Sequence, residues 1–212
     1  MRNRSLRRAA GFTLVELSIV LVIIGLIIGG VLTGQQIIQN ARITRALNDV
    51  QAYEAQFQTY QQNFGALPGD DASAVTRFLN VAPANGNGDG TLQGTFDSAT
   101  ATDESRLVWA DLRAASLVKN QVPITAQPPN PFDGIYGFQN GAFGGVFTTT
   151  VLCLNDVPAA AAQAIDTRLD DGNSNAGAIQ AMAATGAVGE ATSGTVAANY
   201  GAAETYTMCI RM

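Results

Sequence analysis

The 212 residues of the chain are enough for one compact domain with one additional element, and they carry 12 basic and 17 acidic side chains. Four arginines lie within the first 11 positions, and the remainder has a net charge of −9, which argues against a surface for nucleic-acid phosphates. The sequence has no histidine, which excludes most hydrolase sites and the commonest metal ligand.

The first element is an apolar run of 21 residues, from Phe12 to Leu32, whose only charged side chain is Glu16. At about 1.5 Å per residue, a helix of this length spans the roughly 30 Å hydrocarbon core of a bilayer. The arginines before it predict that the N-terminus stays cytoplasmic and that the chain after Leu32 is exported. A secretory signal peptide fits poorly, because the run is long and no Ala-x-Ala cleavage pattern follows it.

Glu16 is a carboxylate inside this apolar run. At the centre of a transmembrane helix such a group costs about 2.5–3.5 kcal/mol, so an acid there is a functional candidate. Because Glu16 lies only four residues inside the run, an acid tolerated at the membrane interface is the alternative interpretation.

The six residues from Gly11 to Glu16, GFTLVE, together with the apolar run, resemble the prepilin N-terminus shared by type IV pilins and type II secretion pseudopilins. The resemblance implies that a membrane-embedded prepilin peptidase cuts after Gly11 and that Phe12 becomes N-methylated. It also implies that Glu16 pairs with the terminal amine of a neighbouring subunit. Such a pair would fix the register of subunits, since breaking a buried ion pair costs about 3–5 kcal/mol. The proline common in the middle of the family's long helix is missing here.

After Gly34 the chain becomes polar, with apolar residues at spacings of three or four, which predicts that the helix continues to about Asn63. The apolar face comprises Ile43, Leu47, Val50, Tyr53, Phe57, Tyr60 and Phe64. The predicted organisation is a cleaved leader (1–11), a transmembrane and assembly helix (12–34), its amphipathic continuation (35–64) and an exported globular head (65–212).

The loop that follows contains the sequence NGNGDG at residues 85–90. The side-chain oxygens of Asn85, Asn87 and Asp89 recur at the spacing used by calcium-binding loops. A full EF-hand is rejected, because its twelfth position is Phe96 where a bidentate glutamate is needed. Two interpretations remain open: a calcium site closed by Asp97, Asp103 or Glu104, and a plain turn, for which Asn-Gly and Asp-Gly are strong signals.

The head is predicted to be α+β: the long N-terminal helix packs on a small antiparallel sheet with accessory helices. Helices are expected at residues 72–79, 103–118 and 159–169, and strands at residues 135–138, 146–154 and 205–211. Trp109 is expected to be a core anchor and Asp166 to lie on a solvated helix face. Residues 176–201, rich in Ala, Gly, Thr and Ser, are expected to form a poorly ordered or surface loop.

The two cysteines, Cys153 and Cys209, each lie in a predicted strand and form no CxxC motif. The exported side of a membrane is oxidising, which favours a disulfide over two free thiols. The bond would close a loop of about 57 residues and stabilise the head by about 4 kcal/mol on the chain-entropy model.

The sequence therefore predicts a structural subunit of a type IV pilus or a type II secretion pseudopilus. Its partners would be the prepilin peptidase, other subunits, the inner membrane and the assembly machinery, and its final location an extracellular or periplasmic fibre. A membrane-tethered binding module or adhesin that does not polymerise is the alternative. An enzyme is not expected, because the sequence has no GxSxG and no phosphate-binding Gly-Lys loop. Calcium is the only cofactor suggested, and no nucleic-acid partner is expected.

Overall fold

The protein is described by a computed structural model that covers residue 11 and residues 13–79, 81–201 and 205–212. It divides into two compact units, one that ends at Ala41 and one from Arg42 to Met212. The fold class is α+β, as the sequence predicts: a long N-terminal helix is followed by a four-stranded antiparallel sheet and short helices.

Helix α1 runs from Leu14 to Phe64 as one element of 51 residues. From Arg42 onwards, one of its faces is buried in the core, which confirms the predicted apolar spacing. The fully buried residues on this face are Ile43, Ala46, Val50, Phe57 and Tyr60. Gly65, the residue after the helix, has a φ of +70°, the left-handed conformation that glycine adopts most readily there. The short helix α2 (Ala74–Arg77) follows, within the segment 72–79 that was expected to be helical.

The sheet consists of β1 (Tyr136–Ala142), β2 (Phe147–Pro158), β3 (Ile179–Ala183) and β4 (Thr205–Arg211). The strands lie in the order β1-β2-β4-β3, and every neighbouring pair is antiparallel. A 3₁₀ turn at Phe143–Gly145 joins the first two strands. The last strand of the chain therefore lies inside the sheet.

Aromatic side chains join the C-terminal half of α1 to the sheet. Phe57 stacks on Phe138 of β1 with their ring centroids 5.0 Å apart. Trp109, on helix α3 (Glu104–Ala114), meets Tyr53 edge-on at 5.0 Å and lies 5.2 Å from Phe138. Trp109 is fully buried, so its predicted role as a core anchor is confirmed.

Three expectations about the head need correction, and the first two concern secondary structure. Helix α3 ends at Ala114 and not at Val118, because Ser116 has a φ of +59°, which no helix residue adopts. Residues 176–201 are not one continuous loop: the segment includes β3 and the short helix α5 (Glu190–Ser193), joined by loop residues. The strand forms because Ile179 and Met182 are buried and its backbone pairs with β4.

The third correction concerns Asp166, on helix α4 (Ala159–Leu169), which is fully buried and not on a solvated face. Its carboxylate accepts hydrogen bonds from the Tyr200 hydroxyl at 2.6 Å and from the Gly172 amide at 3.1 Å. Burial raises the pKa of Asp166. Through these two hydrogen bonds, Asp166 connects helix α4 to Gly172, in the segment after the helix, and to Tyr200, in the segment before β4.

Candidate functional sites

The predicted processing site lies at the N-terminal edge of the described residues. Gly11 is exposed, and a Cβ at this position would meet no atom within 4 Å. Phe12, the predicted methylation site, and leader residues 1–10 lie outside the described residues. Cleavage after Gly11 and methylation of Phe12 therefore stay predictions.

Glu16 caps the start of helix α1. One of its carboxylate oxygens accepts hydrogen bonds from the Thr13 amide at 2.8 Å and from the Thr13 hydroxyl at 2.9 Å. The Glu16 amide donates back to the Thr13 hydroxyl at 3.2 Å. This reciprocal arrangement is a capping box, which the pattern Thr-x-x-Glu signals in a sequence. The pattern is visible in the sequence, but Glu16 had been interpreted only as a charge in an apolar run and as an assembly residue.

The apolar part of α1 exposes its large side chains along its whole length. Between Leu14 and Ile38, the exposed fraction of each large apolar side chain is 47 % or more. This helix is long and apolar enough to cross a membrane, by length and composition. A helix that is apolar on all sides fits a lipid environment or a close contact with other chains, but not water.

Cys153 and Cys209 form a disulfide, the pairing that the sequence favours. They lie directly opposite each other on β2 and β4 and are both fully buried. The bond therefore fastens the C-terminal strand to the middle of the sheet.

The loop at residues 85–93 closes around two buried carboxylates from elsewhere in the chain. Asp70 accepts hydrogen bonds from the amides of Gly88, Asp89 and Gly90 at 2.6–3.1 Å. Glu104 accepts from the amides of Asn87 and Gln93 at 2.8 and 2.9 Å. Backbone donors thus converge on Asp70, which the sequence did not mark, and on Glu104, which the sequence offered as one of three possible closing ligands.

Glycine at position 86 is required by the same loop. A Cβ there would lie 2.3 Å from the Cα of Asp70, so no larger residue fits without moving the backbone. The close approach lets successive amides of the loop reach the Asp70 carboxylate. Gly86 therefore has a structural role whether or not a cation binds.

The side-chain oxygens of the predicted calcium residues serve local hydrogen bonds. Asn85 accepts from the Val75 amide at 2.8 Å, and Asn87 accepts from the Asp89 amide at 2.8 Å. Asp89 accepts from the amide and the hydroxyl of Thr91 at 2.9 and 2.8 Å. Calcium binding at these three residues stays a prediction.

Among the residues that the structure describes, two groups of carboxylates have oxygens close enough to hold a cation. Asp89 belongs to the first, with the buried Asp70 and Glu104. The second consists of Asp166, Asp170 and Asp171, at the end of α4. In both groups, backbone amides already hydrogen-bond to carboxylate oxygens, and Asp170 accepts from the amides of residues 178 and 179. The geometry is compatible with a cation and also with loops that close without one.

A second buried carboxylate network lies where the loop after α1 meets α3. Asp111 accepts a hydrogen bond from the Gly69 amide at 2.7 Å, and no donor among the described residues reaches its other oxygen. Burial raises the pKa of Asp111 to about 7. Asp71 nearby is also buried, but hydrogen bonds from Arg77, Ser73 and Tyr60 outweigh burial and lower its pKa. The two carboxylates therefore differ in charge near neutral pH.

The comparisons with known proteins concern the N-terminus. Residues 6–32 match the family model of the prokaryotic N-terminal methylation motif. This motif is the hallmark of type IV pilin-like and pseudopilin precursors, and it describes a structural element and not an enzyme class. No curated protein matches the chain significantly. The chain thus carries a prepilin-like N-terminus.

Proposed function

We propose that the chain is the precursor of a fibre subunit of a type IV pilus or a type II secretion pseudopilus. A prepilin peptidase would cut after Gly11, Phe12 would be N-methylated, and the apolar part of α1 would hold subunits together. The single observation that supports this most is the methylation motif at residues 6–32. The exposed apolar surface from Leu14 to Ile38 fits the same function, since no described residue of its own unit covers it.

Glu16 would have two successive roles in this proposal. In the single chain it caps α1 through Thr13. In the fibre it would pair with the N-terminal amine of a neighbouring subunit, because a carboxylate and an amine in an apolar core are each unfavourable alone. Glu16 would thus exchange Thr13 for the neighbouring amine, and fibre assembly would be coupled to the loss of the cap on α1.

The test is the variant Glu16→Ala in the full chain, expressed with the fibre assembly system. We expect normal membrane insertion and processing, but incorporation into fibres reduced by about a hundredfold or more, because breaking a buried ion pair costs about 3–5 kcal/mol. Sheared fibres, quantified by immunoblot against total membrane protein, give the measurement.

Thr13→Ala is the matched control, because it removes the hydroxyl that takes part in both side-chain capping bonds and leaves the Glu16 carboxylate in place. We expect this variant to enter fibres normally. Equal loss in both variants would assign the effect to the cap, and normal incorporation of Glu16→Ala would contradict the assembly mechanism. N-terminal sequencing of the mature protein should begin at Phe12, and any other start would contradict the processing site.

A further inference from the structure

A cleft of about 370 Å³ lies in the unit that begins at Arg42, beside the C-terminal end of α3. Its lining includes Tyr53, Arg113, Val118, Lys119, Pro128 and Pro129. Arg113 and Lys119 give this cleft a positive lining. The unit as a whole is acidic, since residues 42–212 hold eight basic and 16 acidic side chains. A ligand for this cleft should therefore be negatively charged.

Arg113 is buried, with 2 % of its surface exposed, and hydrogen-bonds only to neutral oxygens. Its Nε donates to the Lys119 carbonyl at 3.3 Å, one Nη donates to the Ile124 carbonyl, and the other Nη donates to the Gln121 side chain at 3.2 Å. A guanidinium group has five N–H donors, so two remain for another acceptor.

No carboxylate compensates the charge of Arg113 within the part of the chain that the structure describes. The ion pairs found there join Arg77 to Asp71 and Arg45 to Asp49. Burial lowers the pKa of Arg113, the Tyr53 phenol opposes this shift, and neighbouring Arg106 adds to it. A buried cation without a counter-charge is unfavourable, and an anion from outside the chain would relieve it.

The remaining lining indicates what kind of anion fits. Lys119 is exposed and is the only lysine of the chain, so it adds a second positive charge at the rim. Val118, Pro128 and Pro129 offer apolar surface, which suits a hydrocarbon body better than a fully hydrated inorganic ion. The planar fork of an arginine matches the two oxygens of a carboxylate.

We propose that this cleft binds a carboxylate group carried on a short hydrocarbon body. Two sources offer that chemistry: an acidic side chain of another protein chain, and a free organic acid. Arg113 would hold the carboxylate with its two remaining N–H donors, Lys119 would attract it, and the prolines would contact the carbon chain.

Trp109 reports on the cleft, because it is the only tryptophan and the Arg113 guanidinium lies 5.9 Å from its ring centroid. The full chain in detergent micelles is titrated with sodium glutarate at constant ionic strength while tryptophan fluorescence is recorded. We expect a saturable change. Lys119→Gln should raise the half-saturation concentration about threefold, as expected for a partly screened charge. Arg168→Gln, which removes an exposed cation on α4, should leave it unchanged.

A parallel titration with the peptide acetyl-Gly-Glu-Gly-amide separates the two sources. Tighter binding of the peptide would assign the site to protein side chains, and tighter binding of glutarate to free acids; either result supports a carboxylate site. Inorganic phosphate should bind more weakly than both. The proposal is overturned if neither carboxylate gives a saturable change, if phosphate binds as well as glutarate, or if Lys119→Gln behaves like wild type.

Discussion

The two parts of helix α1 are both rich in apolar residues and differ completely in burial. In the first, which ends near Ile38, Leu14 is 85 % and Leu26 77 % exposed. In the second, Phe57 is 3 % exposed and Tyr60 is fully buried. The second part packs against the apolar core of the head, whereas no described residue of the first unit covers the first part.

The same helix therefore has two separate roles: its first part presents apolar surface to its surroundings, and its second part contributes to the core of the head. Burying apolar surface contributes roughly 25 cal/mol per Å², so an exposed apolar stretch of this length is stable only in lipid or against other chains. The core face, in contrast, stabilises the fold of the head. Substitutions in the two parts should therefore affect different measurements.

The largest expected effect comes from a matched pair of alanine substitutions on α1. Phe57→Ala removes a side chain stacked on Phe138 and should lower the free energy of unfolding of the head by about 3–5 kcal/mol. Ile27→Ala, at a position 56 % exposed, should leave this free energy unchanged within about 0.5 kcal/mol. Denaturant unfolding followed by Trp109 fluorescence measures both. Equal destabilisation by the two variants would contradict the division of α1 into a core part and an exposed part.

The disulfide gives the next largest effect, and only in the head. Replacing Cys153 and Cys209 together with serine should lower the free energy of unfolding by about 2–4 kcal/mol, because the open chain gains conformational entropy. Reduction of the wild-type protein is the control and should give a similar loss. Insertion of the apolar segment into membranes, measured by carbonate extraction, should not change. If the reduced protein has the same free energy of unfolding as the oxidised one, the disulfide does not stabilise the head.

The smallest of the three effects concerns pH, and it also belongs to the head. The pKa of Asp111 is about 7 in the folded protein and about 3.9 when unfolded, so the folded state binds a proton that the unfolded state has lost. The stabilisation by this proton is complete below about pH 4, decreases as the pH rises from about 4 to 7, and is lost above about pH 7. Between pH 5 and pH 7 the free energy of unfolding should fall by about 2 kcal/mol from this group.

Asp111→Asn should flatten this part of the pH profile, because an amide does not titrate. Asp133→Asn is the matched control, since Asp133 is exposed and asparagine tolerates its φ of +72°. The control should keep the wild-type slope in denaturant unfolding at a series of pH values. An unchanged slope in Asp111→Asn would show that other groups set the pH dependence.

Local patterns in the sequence were sufficient for the elements that bury a regular face. The spacing from Ile43 to Phe64 predicted the core face of α1, and the β-branched run around Cys153 predicted β2. The N-terminal motif was equally visible, because its residues are contiguous. In each case the signal lies within one element.

Features that depend on distant partners could not be predicted in this way. Strand β3, with the sequence IQAMA, has no strong strand propensity and forms because β4 offers it a free edge. The loop at NGNGDG was recognised as a turn or a cation site with Glu104 as one possible closing residue, but its anchor Asp70, which precedes the loop, was not recognised. Asp166 was misplaced for the same reason, since its partner Tyr200 lies 34 residues away.

The position of β4 inside the sheet determines when the head can complete its fold during synthesis. A chain that stops before Thr205 leaves β2 and β3 without the strand that separates them, and Cys153 without its partner. Synthesis from the N-terminus therefore delivers the apolar helix first and the closing strand last. Until that strand arrives, β2 keeps an open edge that other chains can pair with, so a partly emerged head is the state most exposed to aggregation.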